Sequence, residues 1–152
     1  LIKVVFVCLG NICRSPMAEA IFRKRIYEKE LTDHISVESA GTASWHEGKP
    51  PHEGTRQILD QHTISYNGQT ARGVREADYQ ADYLVVMDNS NLEDVKNGRN
   101  HVANAFRLLD LVSEIENKDV PDPYFTGDFE ETFSLINEGC ERLLAKIIRE
   151  KF

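Results

Sequence analysis

The chain has 152 residues, 41% hydrophobic and 28% charged, with a formal net charge of −7. That length can bury a sizeable core without disulfide or metal staples, so residues 1–152 are expected to form a single domain. The acidic balance argues against nucleic acid as a partner, and no run approaches the roughly 20 apolar residues that a membrane-spanning helix needs.

Ile2–Val7 is an almost unbroken apolar run and reads as a central, buried strand. A helix is expected from Pro16 to about Glu30, with Ser15 as its N-cap and Pro16 at the first helical position. Ile35–Ser39 alternates like a half-exposed second strand, and a loop punctuated by Gly48, Pro50 and Pro51 follows. Helical patterns cover Glu53–His62 and Ser90–Asn97, on either side of a third strand, Tyr83–Met87. Ala105–Leu109 reads as a weaker fourth strand, and the prolines of Val120–Phe125 argue against helix there. From about Asp128 the residues Phe129, Phe133, Ile136, Cys140, Leu143 and Ile147 recur at helical spacing and form one core-facing stripe. This alternation implies an α/β fold: a three-layer sandwich with a central four-stranded parallel sheet, Rossmann-like, and a phosphate-binding loop after the first strand.

The first strand ends in Cys8-Leu9-Gly10-Asn11-Ile12-Cys13-Arg14-Ser15-Pro16, a C-x5-R-S sequence at a strand-to-helix turn. Such a turn wraps one tetrahedral oxyanion, phosphate or a similar ion, with backbone N–H groups and a helix N-terminus directed at it. Cys8 then serves as a nucleophile whose anion is favoured by that helix end and by Arg14. Arg14 offers a planar fork to two phosphoryl oxygens, and Ser15 can donate to the sulfur. Turnover also needs an acid for the leaving group and a base for water; Asp122, between two prolines, is the candidate. Ligands of open parallel sheets bind beyond the carboxyl ends of the strands, where Cys8, Ser39 and Asp88 are expected.

V-C-x-G-N-I-C-R-S-P at the start, Asp88 within M-D-x-S-N, and Asp122-Pro123-Tyr124 late in the chain give it, over essentially its whole length, a resemblance to the low-molecular-weight protein tyrosine phosphatases. The resemblance implies that Cys8 is the nucleophile, Arg14 the phosphate-binding arginine and Asp122 the general acid. It implies that Leu9, Gly10, Asn11, Ile12 and Cys13 form the loop around the anion, that Asn11 and Ser39 brace it, and that Ser15 stabilises the sulfur. Arg72 and Asp88 resemble a supporting ion pair, and Trp45 and Tyr124 the aromatic walls of a phosphotyrosine slot. Trp45 as a core or plain surface tryptophan stays open. The family brings no metal and no organic cofactor. Its partners are phosphotyrosine proteins, and this chain is expected to act as a monomer. Phe125 stands where many relatives carry a second tyrosine.

The three cysteines form no disulfide framework, and no signal-like segment opens the chain, so the expected setting is the cytoplasm, with export by a signal-less route left open. Cys13 reads equally as a packing residue or as a transient disulfide partner for Cys8. Cys140 reads as core, and His46 and His52 as surface histidines. A protein-arginine phosphatase of the same fold is the nearest rival reading; those relatives carry Thr where this chain has Ile12. An arsenate reductase would need further cysteines near Met87-Asp88, and a phosphocysteine carrier would lack the acid.

Overall fold

β1 (Ile2–Cys8) is the centre of the sheet because both of its neighbours run parallel to it and both faces of it are buried. β2 (Ile35–Gly41), β1, β3 (Tyr83–Val86) and β4 (Phe106–Arg107) lie side by side in the order β2-β1-β3-β4, all parallel. The computed structural model describes residues 1–97 and 105–152.

The pleat of β1 sorts its side chains into two cores. Val4, Phe6 and Cys8 face α1 (Arg14–Glu28), α2 (Glu53–Gln61) and α5 (Phe129–Lys151), and pack with residues such as Met17, Leu59 and Ile136. Val5 and Val7 face the other way, against Leu84, Val86 and Val95 of α3 (Asn89–Lys96). The anticipated stripe of α5 is buried from Phe133 through Ile147, while Phe129 is only partly covered. Among the described residues, no helix is long and apolar enough to cross a membrane.

Four local expectations are corrected. α1 starts at Arg14 with Cys13 at its N-cap and no side-chain cap, so Ser15 lies inside the first turn and its hydroxyl is used elsewhere. β2 runs two residues past Ser39, because Ala40 and Gly41 stay in register with Val7 and Cys8. The fourth strand shrinks to Phe106–Arg107: Arg107 bonds Asp110 through both its backbone and its side chain, which turns Leu108–Leu111 into a tight 3-10 helix. The proline-bounded segment does hold one helical turn, α4 (Pro123–Thr126), since Pro at the first helical position lacks an N–H that the helix would leave unbonded anyway.

Candidate active site

The loop between β1 and α1 is held from outside. Leu9 O accepts from Ala43 N at 2.9 Å, Ile12 O from His52 N at 2.7 Å, and Cys13 O from Thr55 Oγ1 at 3.1 Å. In a trans peptide the following N–H points opposite to the carbonyl, so the amides of Gly10, Cys13 and Arg14 turn toward the loop's interior. Asn11 sits at φ 57°, a left-handed conformation that asparagine tolerates, and this lets the chain curl back on itself. Its amide is the brace: Oδ1 accepts from Arg72 N at 3.0 Å, while Nδ2 donates to Ser15 Oγ at 2.7 Å and Ser39 Oγ at 3.0 Å.

Cys8 Sγ lies 3.1 Å from Ser15 Oγ and 3.5 Å from Ser15 N. Arg14 is 2% exposed, and its Nη1 donates to Asp88 Oδ2 at 2.7 Å and Val120 O at 2.9 Å. Its Nη2 reaches Asp122 Oδ2 at 3.4 Å, while the buried Nε has no hydrogen-bond partner among the described residues. Burial opposes the charge of Arg14, but the Cys8 thiolate and the carboxylates of Asp88 and Asp122 outweigh it and raise the guanidinium's affinity for its proton. Asp122 also caps α4, its Oδ1 accepting from Tyr124 N at 3.1 Å, while its Oδ2 is the oxygen that faces Arg14.

These residues surround a pocket of about 250 Å³ whose lining includes Cys8, Leu9, Gly10, Ile12, Cys13 and Asp122. Trp45, 72% exposed, and Tyr124 form its mouth, so Trp45 is not a core residue. Two further lining residues, His46 and Phe125, went unrecognised in the sequence. His52 is more than a surface residue as well. Its Nδ1 accepts from Gly54 N to cap α2, and its ring stacks on Phe129 and meets Tyr124 edge-on. Histidine is a rare cap, and only its place directly after Pro50-Pro51 hints at the role.

The expected pairing of Arg72 with Asp88 does not occur. Arg72 forms a bidentate pair with Asp78 at 2.8 and 3.0 Å, with Glu38 at 3.4 Å, whereas Asp88 faces Arg14 across the sheet. The reason is topological: Arg72 precedes the bridge between Gly73 and Gly41 on the β2 side, and Asp88 follows β3 on the opposite side of β1. Arg72 therefore supports the loop through its own backbone N–H.

Cys13 packs with Ile12, Ala71 and Phe129. Burial, the Cys8 thiolate and Asp122 push its thiol up to about 12. Cys8, Cys13 and Cys140 are all free and buried.

The model of the low molecular weight phosphotyrosine protein phosphatase family matches residues 3–152. The low molecular weight protein-tyrosine-phosphatase YfkJ of Bacillus subtilis (strain 168) is 51% identical over 154 residues, covering 99% of each chain. The crystal structure of YfkJ is similar at TM-score 0.97 and 50% identity, over 100% of this chain and 98% of that one. The low molecular weight protein-tyrosine-phosphatase PtpA of Staphylococcus aureus (strain MRSA252) is 44% identical over 151 residues, covering 99% of this chain and 96% of its own. A drosophila arginine phosphatase is also similar in structure, at TM-score 0.87 and 35% identity over 95% of this chain and 97% of that one. The match spans the loop, the late aspartate and nearly everything between, and the chain belongs to the low molecular weight phosphotyrosine protein phosphatase family.

Proposed function

We propose that this protein is a cysteine-dependent protein-tyrosine-phosphatase that hydrolyses phosphotyrosine in proteins, and small aryl phosphates, through a phosphocysteine intermediate. One observation carries the reading: a single pocket has Cys8 and Asp122 in its lining and an aromatic mouth of Trp45 and Tyr124. A phenyl phosphate fits that order of chemistry. The phosphoryl group lies in the loop, against the amides of Gly10, Cys13 and Arg14 and the free Nε of Arg14, and its ring lies between the aromatic walls.

In the first step the Cys8 thiolate attacks phosphorus as the bond to the phenolic oxygen breaks, and Asp122 gives its proton to that oxygen. In the second, the Asp122 carboxylate takes a proton from water. That water's oxygen attacks the phosphocysteine, and the thiolate departs toward the Ser15 hydroxyl. Ile12 lines the pocket without any polar group, which supports phosphotyrosine over a phosphoramidate substrate. We read the protein as a monomer working in the cytoplasm as one domain over residues 1–152, away from membranes, and its acidic balance supports phosphoprotein substrates over nucleic acid.

Steady-state hydrolysis of phosphotyrosine, phosphoarginine and phosphoserine peptides, with Cys8→Ser as control, tests the reading. Preference for phosphotyrosine, abolished by Cys8→Ser, is expected. Preference for phosphoarginine would overturn the substrate assignment, and stoichiometric phosphorylation of Cys8 without turnover would overturn the hydrolase.

A further inference from the structure

Glu19, on α1, is not among the residues that line the pocket, and its side chain is 12% exposed. Its Oε1 accepts from Ser39 Oγ at 2.5 Å, and its Oε2 is held by Arg23 Nη2, also at 2.5 Å. Arg23 in turn donates to Val37 O at 3.2 Å, which anchors the pair to β2. Arg72 also feels the Glu19 charge. Ser39 bonds Asn11, Asn11 bonds Ser15, and Ser15 meets the Cys8 sulfur.

The direction of each bond in this chain follows from counting protons. At one end stands the Arg72 backbone N–H, which can only donate, so Asn11 must present Oδ1 to it. Asn11 then directs both N–H bonds of Nδ2 outward, one to Ser39 and one to Ser15. At the other end stands an ionised carboxylate, which can only accept, so the single proton of Ser39 goes to Glu19. Ser39 is thereby committed as an acceptor for Asn11. Ser15 has the same relation to Asn11, and its own proton is left for Cys8 Sγ at 3.1 Å or the more distant Ala40 O at 3.4 Å. Once the sulfur is a thiolate, the shorter, charge-assisted contact is the stronger.

We propose that Glu19 is a positioning residue for the nucleophile: by taking the Ser39 proton, its carboxylate keeps Ser39 an acceptor for Asn11 Nδ2 and so reinforces the Asn11 orientation, set by the Arg72 N–H, that leaves the Ser15 hydroxyl aimed at the Cys8 sulfur. In Glu19→Gln the one amide oxygen is drawn to the Arg23 guanidinium and Nε2 is turned toward Ser39, so the Ser39 proton loses its acceptor, competes with the Asn11 amide and loosens the grip of Asn11 on Ser15. The inference rests on Cys8 being the nucleophile.

Through-space electrostatics predict the opposite outcome, and this makes the test sharp. Removing a nearby negative charge makes a thiolate easier to form, whereas losing a donor to its sulfur makes it harder. The experiment is the pH dependence of Cys8 alkylation by iodoacetamide, read by peptide mapping, in wild type, Glu19→Gln, Ser15→Ala and the double variant. Glu19→Gln is expected to move the midpoint for Cys8 upward by about one pH unit, and to have no further effect once Ser15 is alanine. A downward move would leave Glu19 acting by charge alone and overturn the proposal. So would an unchanged midpoint, or a Glu19→Gln effect that persists without the Ser15 hydroxyl. Should Glu19→Gln not fold, Glu19→Asp keeps the charge but withdraws the oxygens by one methylene, and carries the same expectation and the same refutations. Alkylation needs no phosphatase turnover. A wild-type Cys8 that never reacts would overturn the nucleophile assignment itself, which separates the two failures.

Discussion

Ser15 Oγ and Cys8 Sγ lie 3.1 Å apart, although Ser15 belongs to the first turn of α1 and Cys8 to the last residue of β1. A donor at that distance matters most when sulfur carries full negative charge, which happens when the thiolate leaves phosphorus. Ser15→Ala is expected to slow breakdown of the phosphocysteine more than its formation. A hydrogen bond to a charged group contributes about 1.5–3 kcal/mol, so kcat should fall roughly ten- to hundredfold. Rapid-quench measurement with an aryl phosphate should show a larger initial burst and a slower steady state.

Asp122 splits its work between two oxygens, one on Tyr124 N and one toward Arg14. Asp122→Asn preserves an oxygen for the cap while removing the transferable proton. Turnover of phosphotyrosine should fall by about two to four orders of magnitude, the usual worth of a positioned acid-base group. Phosphate affinity measured by calorimetry should stay within a few-fold of wild type. A parallel loss of phosphate binding would place Asp122 among the structural supports of the loop.

The pair formed by Asp78 and Arg72 makes an acid-stability prediction. Burial pushes the Asp78 carboxyl up, but the bidentate bond from Arg72 and the Arg75 N–H outweigh it and hold the group below its ordinary value. The folded state thus binds this proton more weakly than the unfolded chain, where the value is about 3.9. The stabilisation is present at neutral pH and is lost as pH falls below about 4 through the folded value. Asp78→Asn should cost about 1–3 kcal/mol at pH 7, reduced from the fully buried case because Glu38 also faces Arg72. Melting temperatures followed from pH 7 down to 3 should converge for the two proteins at the acid end.

Gly41 and Gly139 offer a paired test of place. A Cβ on Gly41 would lie 2.8 Å from Leu9 O and 2.8 Å from Ala43 O, both backbone atoms next to the anion loop. A Cβ on Gly139 would lie 2.5 Å from Leu108 Cγ, where α5 crosses the 3-10 turn after β4. Each alanine substitution should destabilise by about 1–3 kcal/mol through overpacking. Only Gly41→Ala should also depress kcat/KM, because only there must the loop itself shift.

The parts of the site that were legible in the sequence are those whose geometry is local. Cys8 through Pro16 is contiguous, and a strand feeding a helix through that spacing leaves few ways to arrange the backbone. The sheet was equally legible, since an apolar run flanked by helical periodicity demands cover on both faces. Partner choice was not. Arg72 had Asp78 six residues ahead and Asp88 at a strand end, and only the strand order β2-β1-β3-β4 puts the latter out of reach. His46 and His52 were missed because their roles, lining a pocket and capping a helix against aromatic rings, depend on residues far along the chain. Pro123 was misjudged because proline forbids the interior of a helix but not its first residue.

Asn11 draws its contacts from three separate stretches of chain: the start of α1, β2 and the segment before Gly73. The anion loop is therefore not portable. A designer who transplanted Cys8–Pro16 onto another strand-helix junction would carry over the thiol, the guanidinium and the helix end. The Ser39 hydroxyl and the Arg72 amide would stay behind, and the left-handed turn at Asn11 would have nothing to hold it closed. A working graft needs all three stretches, two of which lie on the β2 side of β1.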